Sequence, residues 1–160
     1  MTLLDELLAA NEAMTRPAAL DQRPTRRLAV VTCMDARIDV FAVLGLELGD
    51  AHVIRNAGGR LTDDVLRSLA LSSAVLGVDT VVVMQHTKCG LAGASNAELR
   101  ARTGADLEFL PIADHAAALR ADIDRLSGTP YLSAVRTIAG FVYDVDSGRV
   151  DDVVRWERPG

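Results

Sequence analysis

The feature that most constrains this chain is residues 28–37, LAVVTCMDAR, where an apolar, Val-rich run stops abruptly at a thiol (Cys33), an acid (Asp35) and a base (Arg37). Such a short run, closed upstream by Pro24 and two arginines, reads as a buried strand whose far end meets solvent. Open α/β sheets place their chemistry at the carboxyl ends of strands of this kind. A second run, Thr80 to Met84 (TVVVM), empties in the same way into Gln85, His86, Thr87, Lys88, Cys89 and Gly90. The chain has only two cysteines, each just past one of its two most apolar strands. If those strands are neighbours in a parallel sheet, Cys33, His86 and Cys89 converge.

A length of 160 residues is that of one domain (1–160), long enough to bury a core without disulfides or a structural metal. The residues are 49% hydrophobic but only 4% aromatic, so the core must be built from Val, Leu, Ile and Ala, which suits strands covered on both faces by helices. The expected fold is α/β with three layers, a mostly parallel central sheet flanked by helices, an N-terminal helical arm and a C-terminal hairpin. A net charge of -5 argues against nucleic-acid and anionic-membrane partners, which need clustered cations. No apolar run reaches the roughly 18 residues of a membrane span, and the N-terminus lacks the pattern of a secretion signal. A soluble, cytoplasmic protein is expected, and in that reducing compartment thiolate ligation is favoured over a disulfide.

Along the chain, Thr2 and Asp5 make a capping-box pattern ahead of a helix to about Met14, with Leu3, Leu4, Leu7 and Leu8 on one face. Residues 15–27, with Pro17 and Pro24, read as an extended arm of the type that packs on a second subunit. Val40 to Leu44 is a short helix stopped by Gly45, and His52 to Arg55 a second strand leading into the turn Asn56 to Gly59. Thr62 starts a helix whose stripe Val65, Leu66, Leu69, Ala70, Ser73 and Leu76 runs to Gly77; with the strands around it this makes a parallel crossover. Further helices are expected near Ser95 to Ala101, over Ile112 to Leu126, and as a turn or two at Tyr131 to Val135. Thr137 to Val145 and Arg149 to Val154 form the closing hairpin.

Two cysteines and a histidine are a soft-to-borderline ligand set, and three protein ligands on zinc leave a fourth tetrahedral position for water or substrate. The usual fate of a free cysteine is that of a buried small apolar side chain, and the spacing of Cys33 and Cys89 argues against it here. His52, inside a strand, reads as packed or hydrogen-bonded, and His115, on a helix, as solvated. Asp35 and Arg37 can share a side and pair, with Asp39 as a rival partner for the arginine.

Four motifs in order then carry a family resemblance: Cys33-Met34-Asp35-Ala36-Arg37, the stretch His52 to Gly59 (HVIRNAGG), His86-Thr87-Lys88-Cys89-Gly90, and a weaker Gly140 to Val145 (GFVYDV) followed by Gly148. The sequence resembles a β-class carbonic anhydrase, in particular the small, minimal subgroup. That resemblance implies Zn2+ held by Cys33, His86 and Cys89, with Asp35 and Arg37 as the acid/base and orienting pair and Gly58 and Gly59 in the loop beside the substrate pocket. Ala36 departs from the serine often found between the dyad members and removes one hydroxyl. The implied reaction is reversible hydration of carbon dioxide to bicarbonate and a proton. Relatives that hydrolyse carbonyl sulfide or carbon disulfide, and a zinc-dependent regulatory or binding module closed by Asp35, are the alternatives. A homodimer or higher even assembly is expected, because the first helix carries an apolar face on an arm and the family builds its sites near a subunit interface.

Overall fold

The computed structural model describes residues 1–15 and 19–160; Pro17 of the expected arm lies outside the described residues. Strands β1 (Leu28–Cys33), β2 (Ala51–Asn56), β3 (Thr80–His86), β4 (Thr137–Tyr143) and β5 (Val150–Glu157) form a five-stranded sheet in the order β2-β1-β3-β4-β5. All neighbours run parallel except β4 and β5, which pair antiparallel with a register shift at Gly140/Phe141. The two apolar runs are indeed neighbours, Val30 opposite Val82 and Thr32 opposite Met84. From β1 the chain turns outward to β2 and then crosses back to β3 on the other side. That reversal opens a crevice beyond the carboxyl ends of β1 and β3, the place where open sheets bind ligands.

Alternation along the strands divides the core into two layers. On one face Ala29, Val31, Val81, Val83 and Ile138 pack with α3 (Asp63–Ala74) and α5 (His115–Ser127). On the other, Val30, Val82, Met84 and Ala139 meet α2 (Val40–Leu44), α4 (Asn96–Thr103) and the segments beside them. Both central strands are almost wholly buried, which is why they read as unbroken apolar runs.

Several boundaries differ from the sequence-based expectation, each for a local reason. Strand β3 continues past Met84 through Gln85 and His86, because β4 supplies partners in Val142 and Tyr143. Helix α3 stops at Ala74 rather than Gly77, and the chain turns so that the Val78 N–H meets the Ser72 carbonyl. Helix α5 begins at His115, capped by Asp114 on the Ala117 N–H, because Ile112 is drawn into a bridge with Ala92. The expected turns at Tyr131 to Val135 are a single 3-10 turn, Pro130–Leu132, and β5 extends to Glu157 along the full length of β4. The first helix, α1 (Leu3–Glu12), has the expected capping box but buries none of its residues.

Candidate metal centre

Cys33 ends β1, His86 ends β3, and Cys89 follows in the loop after β3. All three side chains are buried, and one ligand atom from each lies within 4.8 Å of the others. The two sulfurs are 4.0 Å apart, near the ~3.8 Å that two thiolates about 2.3 Å from one tetrahedral ion would show. His86 Nδ1 lies 2.8 Å from the Thr87 carbonyl oxygen, which only accepts, so Nδ1 carries the proton and Nε2 a lone pair. That Nε2 is fully buried and has no hydrogen-bond partner among the described residues. A buried, orphaned acceptor fixed in the metal-binding tautomer beside two thiols is a donor set that fits a soft or borderline divalent metal.

The charges point the same way. The contact with Cys89, aided by His86 and the Gly58 N–H at 3.2 Å, holds the Cys33 thiol well below its ordinary range against the effect of burial. The same contact, with burial, pushes Cys89 upward. Burial is the largest influence on His86 and opposes its protonation, yet the Cys33 sulfur and the Asp35 carboxylate outweigh it and raise its pKa. The pocket therefore concentrates negative charge and favours a cation.

Asp35 pairs with Arg37 in bidentate fashion: Oδ1 accepts from Arg37 Nε and from its backbone N–H, both at 2.9 Å, and Oδ2 accepts from Nη2 at 2.7 Å. These bonds hold the Asp35 carboxyl well below the usual carboxylate range and raise Arg37. Asp39 is not a rival, since its side chain caps α2 by accepting from the Ala42 N–H. Asp35 Oδ2 stands 3.8 Å from His86 Nε2, at the edge of the metal pocket. Beside it opens a cavity of about 350 Å³ walled by Leu91, Leu99, Phe109 and Gly58, where the polar side chains are Asp35 and the two thiols. Gly58 lines this cavity, whereas Gly59 does not and packs on the ends of β1 and β3: a Cβ there would stand 2.9 Å from the Thr32 carbonyl carbon and 3.0 Å from Met84 O.

The other histidines are accounted for. His52 is hydrogen-bonded as expected, to Ser72 Oγ at 2.7 Å and the Gln22 carbonyl at 2.9 Å. His115 is not solvated; it is half-buried at the start of α5, 2.8 Å from Gln85 Oε1, and burial lowers its pKa. Sequence reasoning also missed Arg55, whose guanidinium holds carbonyls of the Cys33 to Ile38 loop, and the buried Arg60–Asp122 pair. For Arg55 a signal existed, an arginine closing a strand that runs beside β1; for Arg60 and Asp122, 62 residues apart, there was none.

A family model described as carbonic anhydrase matches residues 28–127. The chain is 36% identical over 161 residues to "Beta-carbonic anhydrase 1" of Mycobacterium tuberculosis, covering 96% of this chain and 99% of the relative. A crystal structure of carbonic anhydrase from Streptococcus mutans superposes with a TM-score of 0.86 at 43% identity, covering 96% of this chain and 99% of that one. A carbon disulfide hydrolase of Acidithiobacillus thiooxidans is 48% identical over 71 residues, 43% of this chain and 36% of the relative. With a metal-capable Cys-His-Cys cluster at the head of a sheet shared with these proteins, the chain belongs to the β-class carbonic anhydrase family.

Proposed function

We propose that this protein, acting as one unit over residues 1–160, is a zinc lyase that hydrates carbon dioxide to bicarbonate, with zinc on Cys33, His86 and Cys89. The observation that carries this is the orphaned His86 Nε2, locked by Thr87 into the ligating tautomer beside two thiols. Bound zinc would supply Lewis acidity, lowering the pKa of water from about 15.7 toward about 7. The remaining work belongs to the chain. Asp35 Oδ2 accepts a hydrogen bond from the attacking water and so directs its lone pair at the carbon, while Arg37 keeps the carboxylate ionised and turned toward itself. The apolar wall of Leu91, Leu99 and Phe109 suits an uncharged linear substrate and disfavours the charged product, which aids its release. That same wall, with the carbon disulfide hydrolase relatives, supports carbonyl sulfide or carbon disulfide as the second reading. A regulatory module closed by Asp35 is disfavoured by the bidentate pairing of Asp35 with Arg37.

Thiolate ligands suit a reducing, cytoplasmic setting; no described helix is long and apolar enough to cross a membrane. The exposed Leu3, Leu4, Leu7 and Leu8 on α1 support a homodimer or a higher even assembly, in which a second copy covers that face. Light scattering should find at least a dimer, and a stable, active monomer would reject this. The deciding experiment is stopped-flow hydration of carbon dioxide by the zinc-loaded protein beside a carbonyl sulfide assay, with elemental analysis of Cys33→Ser and Cys89→Ser. One zinc per chain is expected, with a marked loss in both variants. Full occupancy in both would remove the ligand assignment, and turnover of carbonyl sulfide alone would select the second reading.

A further inference from the structure

Asp35 and Arg37 come from one loop and bind each other, so their pairing does not explain what holds both of them against His86 and the two sulfurs. The loop is tied to its surroundings at a few points. The Met34 N–H donates to the Asn56 carbonyl at 2.8 Å, and Arg37 Nη2 donates to the Lys88 carbonyl at 3.0 Å. The other ties come from one side chain on β2: Arg55 Nε donates to the Cys33 carbonyl at 2.9 Å, Nη2 to the Asp35 carbonyl at 2.7 Å and Nη1 to the Ile38 carbonyl at 3.2 Å.

We propose that Arg55 is the positioning residue that sets where the Asp35 carboxylate stands relative to the metal ligands. This rests on the role given to Asp35 above. The guanidinium meets only carbonyl oxygens in these contacts, and they belong to the first metal ligand, to Asp35 itself and to the residue that leads into α2. Its own Cα is fixed by the ladder, which places Arg55 opposite Thr32 and Asn56 opposite Cys33. A rigid frame on the sheet thus reaches under the loop and grips it on both sides of Asp35. Arg55 does not line the cavity of the site, so it acts through Asp35 and not on the substrate. The grip needs a planar fork with several donors; a lysine ammonium, a single point on a flexible stem, cannot span carbonyls of residues 33, 35 and 38 together. Displacement of a reacting group by about 1 Å is enough to lower a rate ~100-fold, so the loss of such a grip should be read in turnover.

The test compares zinc-loaded wild type with Arg55→Ala, Arg55→Lys and Asp35→Asn. Arg55→Ala should keep its zinc, lose ~10- to 100-fold in kcat with KM unchanged, and regain part of that loss in millimolar methylguanidinium. Amide exchange at residues 34–38 should quicken in this variant while that of β3 stays as in wild type. Arg55→Lys should fall between the two and is the variant that decides if Arg55→Ala does not fold. Wild-type kcat in either variant would overturn the proposal, as would a loss of kcat that tracks loss of zinc and is not restored by methylguanidinium. Asp35→Asn separates the two levels of inference. Full activity there would mean that the role of Asp35 is wrong, whereas an inactive Asp35→Asn beside a fully active Arg55→Ala removes only the role of Arg55.

Discussion

Two arginine–aspartate pairs in this chain have the same bidentate form and opposite settings. Arg37 and Asp35 lie two residues apart at the mouth of the site, with side chains 49% and 18% exposed. Arg60 and Asp122 lie 62 residues apart, with side chains 9% and 7% exposed, and bind at 2.7 and 3.1 Å. In the second pair Arg60 also donates to the Leu110 carbonyl at 2.5 Å, and Asp122 accepts from the Leu61 N–H at 3.4 Å. The buried pair therefore joins the turn after β2, the segment carrying Phe109, and helix α5; it is part of the frame. The exposed pair joins little beyond its own loop. The same ion-pair chemistry thus stands buried in the frame in one place and open to water beside the metal-capable cluster in the other, where the proposed function gives it a part in the reaction.

Three changes would break or sharpen that contrast. The largest effect is expected from Asp122→Ala, which leaves the Arg60 charge buried without a partner and should remove about 3–5 kcal/mol of folding stability, measured by urea unfolding. A loss under about 1 kcal/mol would show that water reaches the pair and that the two are alike after all. Next comes Arg37→Ala, expected to alter stability by no more than about 1 kcal/mol yet lower carbon dioxide hydration by ~100-fold or more with zinc retained. Wild-type turnover at neutral pH would reduce Asp35 and Arg37 to a surface ion pair. The smallest effect is that of salt. Raising sodium chloride from about 0.1 to about 1 M should weaken the coupling of Asp35 with Arg37 in a double-mutant cycle by ~0.5 kcal/mol or less and leave that of Arg60 with Asp122 unchanged. Equal sensitivity of both would contradict the difference in burial.

The same contrast explains what could be read from the sequence. The convergence of Cys33, His86 and Cys89 was legible because each stands at or just past the end of an apolar strand, and parallel pairing of those strands brings their ends together. Asp35 and Arg37 were legible because their partnership is local. Arg60 and Asp122 were not, because nothing in either neighbourhood specifies a partner so far along the chain. His115 differs from expectation for the same reason: its position on a helix suggests solvent, and its partner Gln85 lies on a strand 30 residues earlier. The apolar run ends at Met84, but β3 does not, because β4 supplies Val142 and Tyr143 as partners for Gln85 and His86, and pairing does not depend on the polarity of a side chain.

Gly59 sets how this centre can change over evolutionary time. At Gly77 the backbone is also left-handed, with φ of +81°, but none of the described residues stands within 4 Å of an added Cβ, so asparagine or aspartate could drift in at small loss. At Gly59 the φ of +62° coincides with backbone atoms of β1 and β3 at 2.9 to 3.0 Å, and backbone cannot step aside as a side chain can. No neighbouring substitution opens a path through that position. A lineage, or a designer, can exchange one apolar side chain of the pocket wall for another, but must carry this glycine unchanged for as long as the two strand ends are to meet.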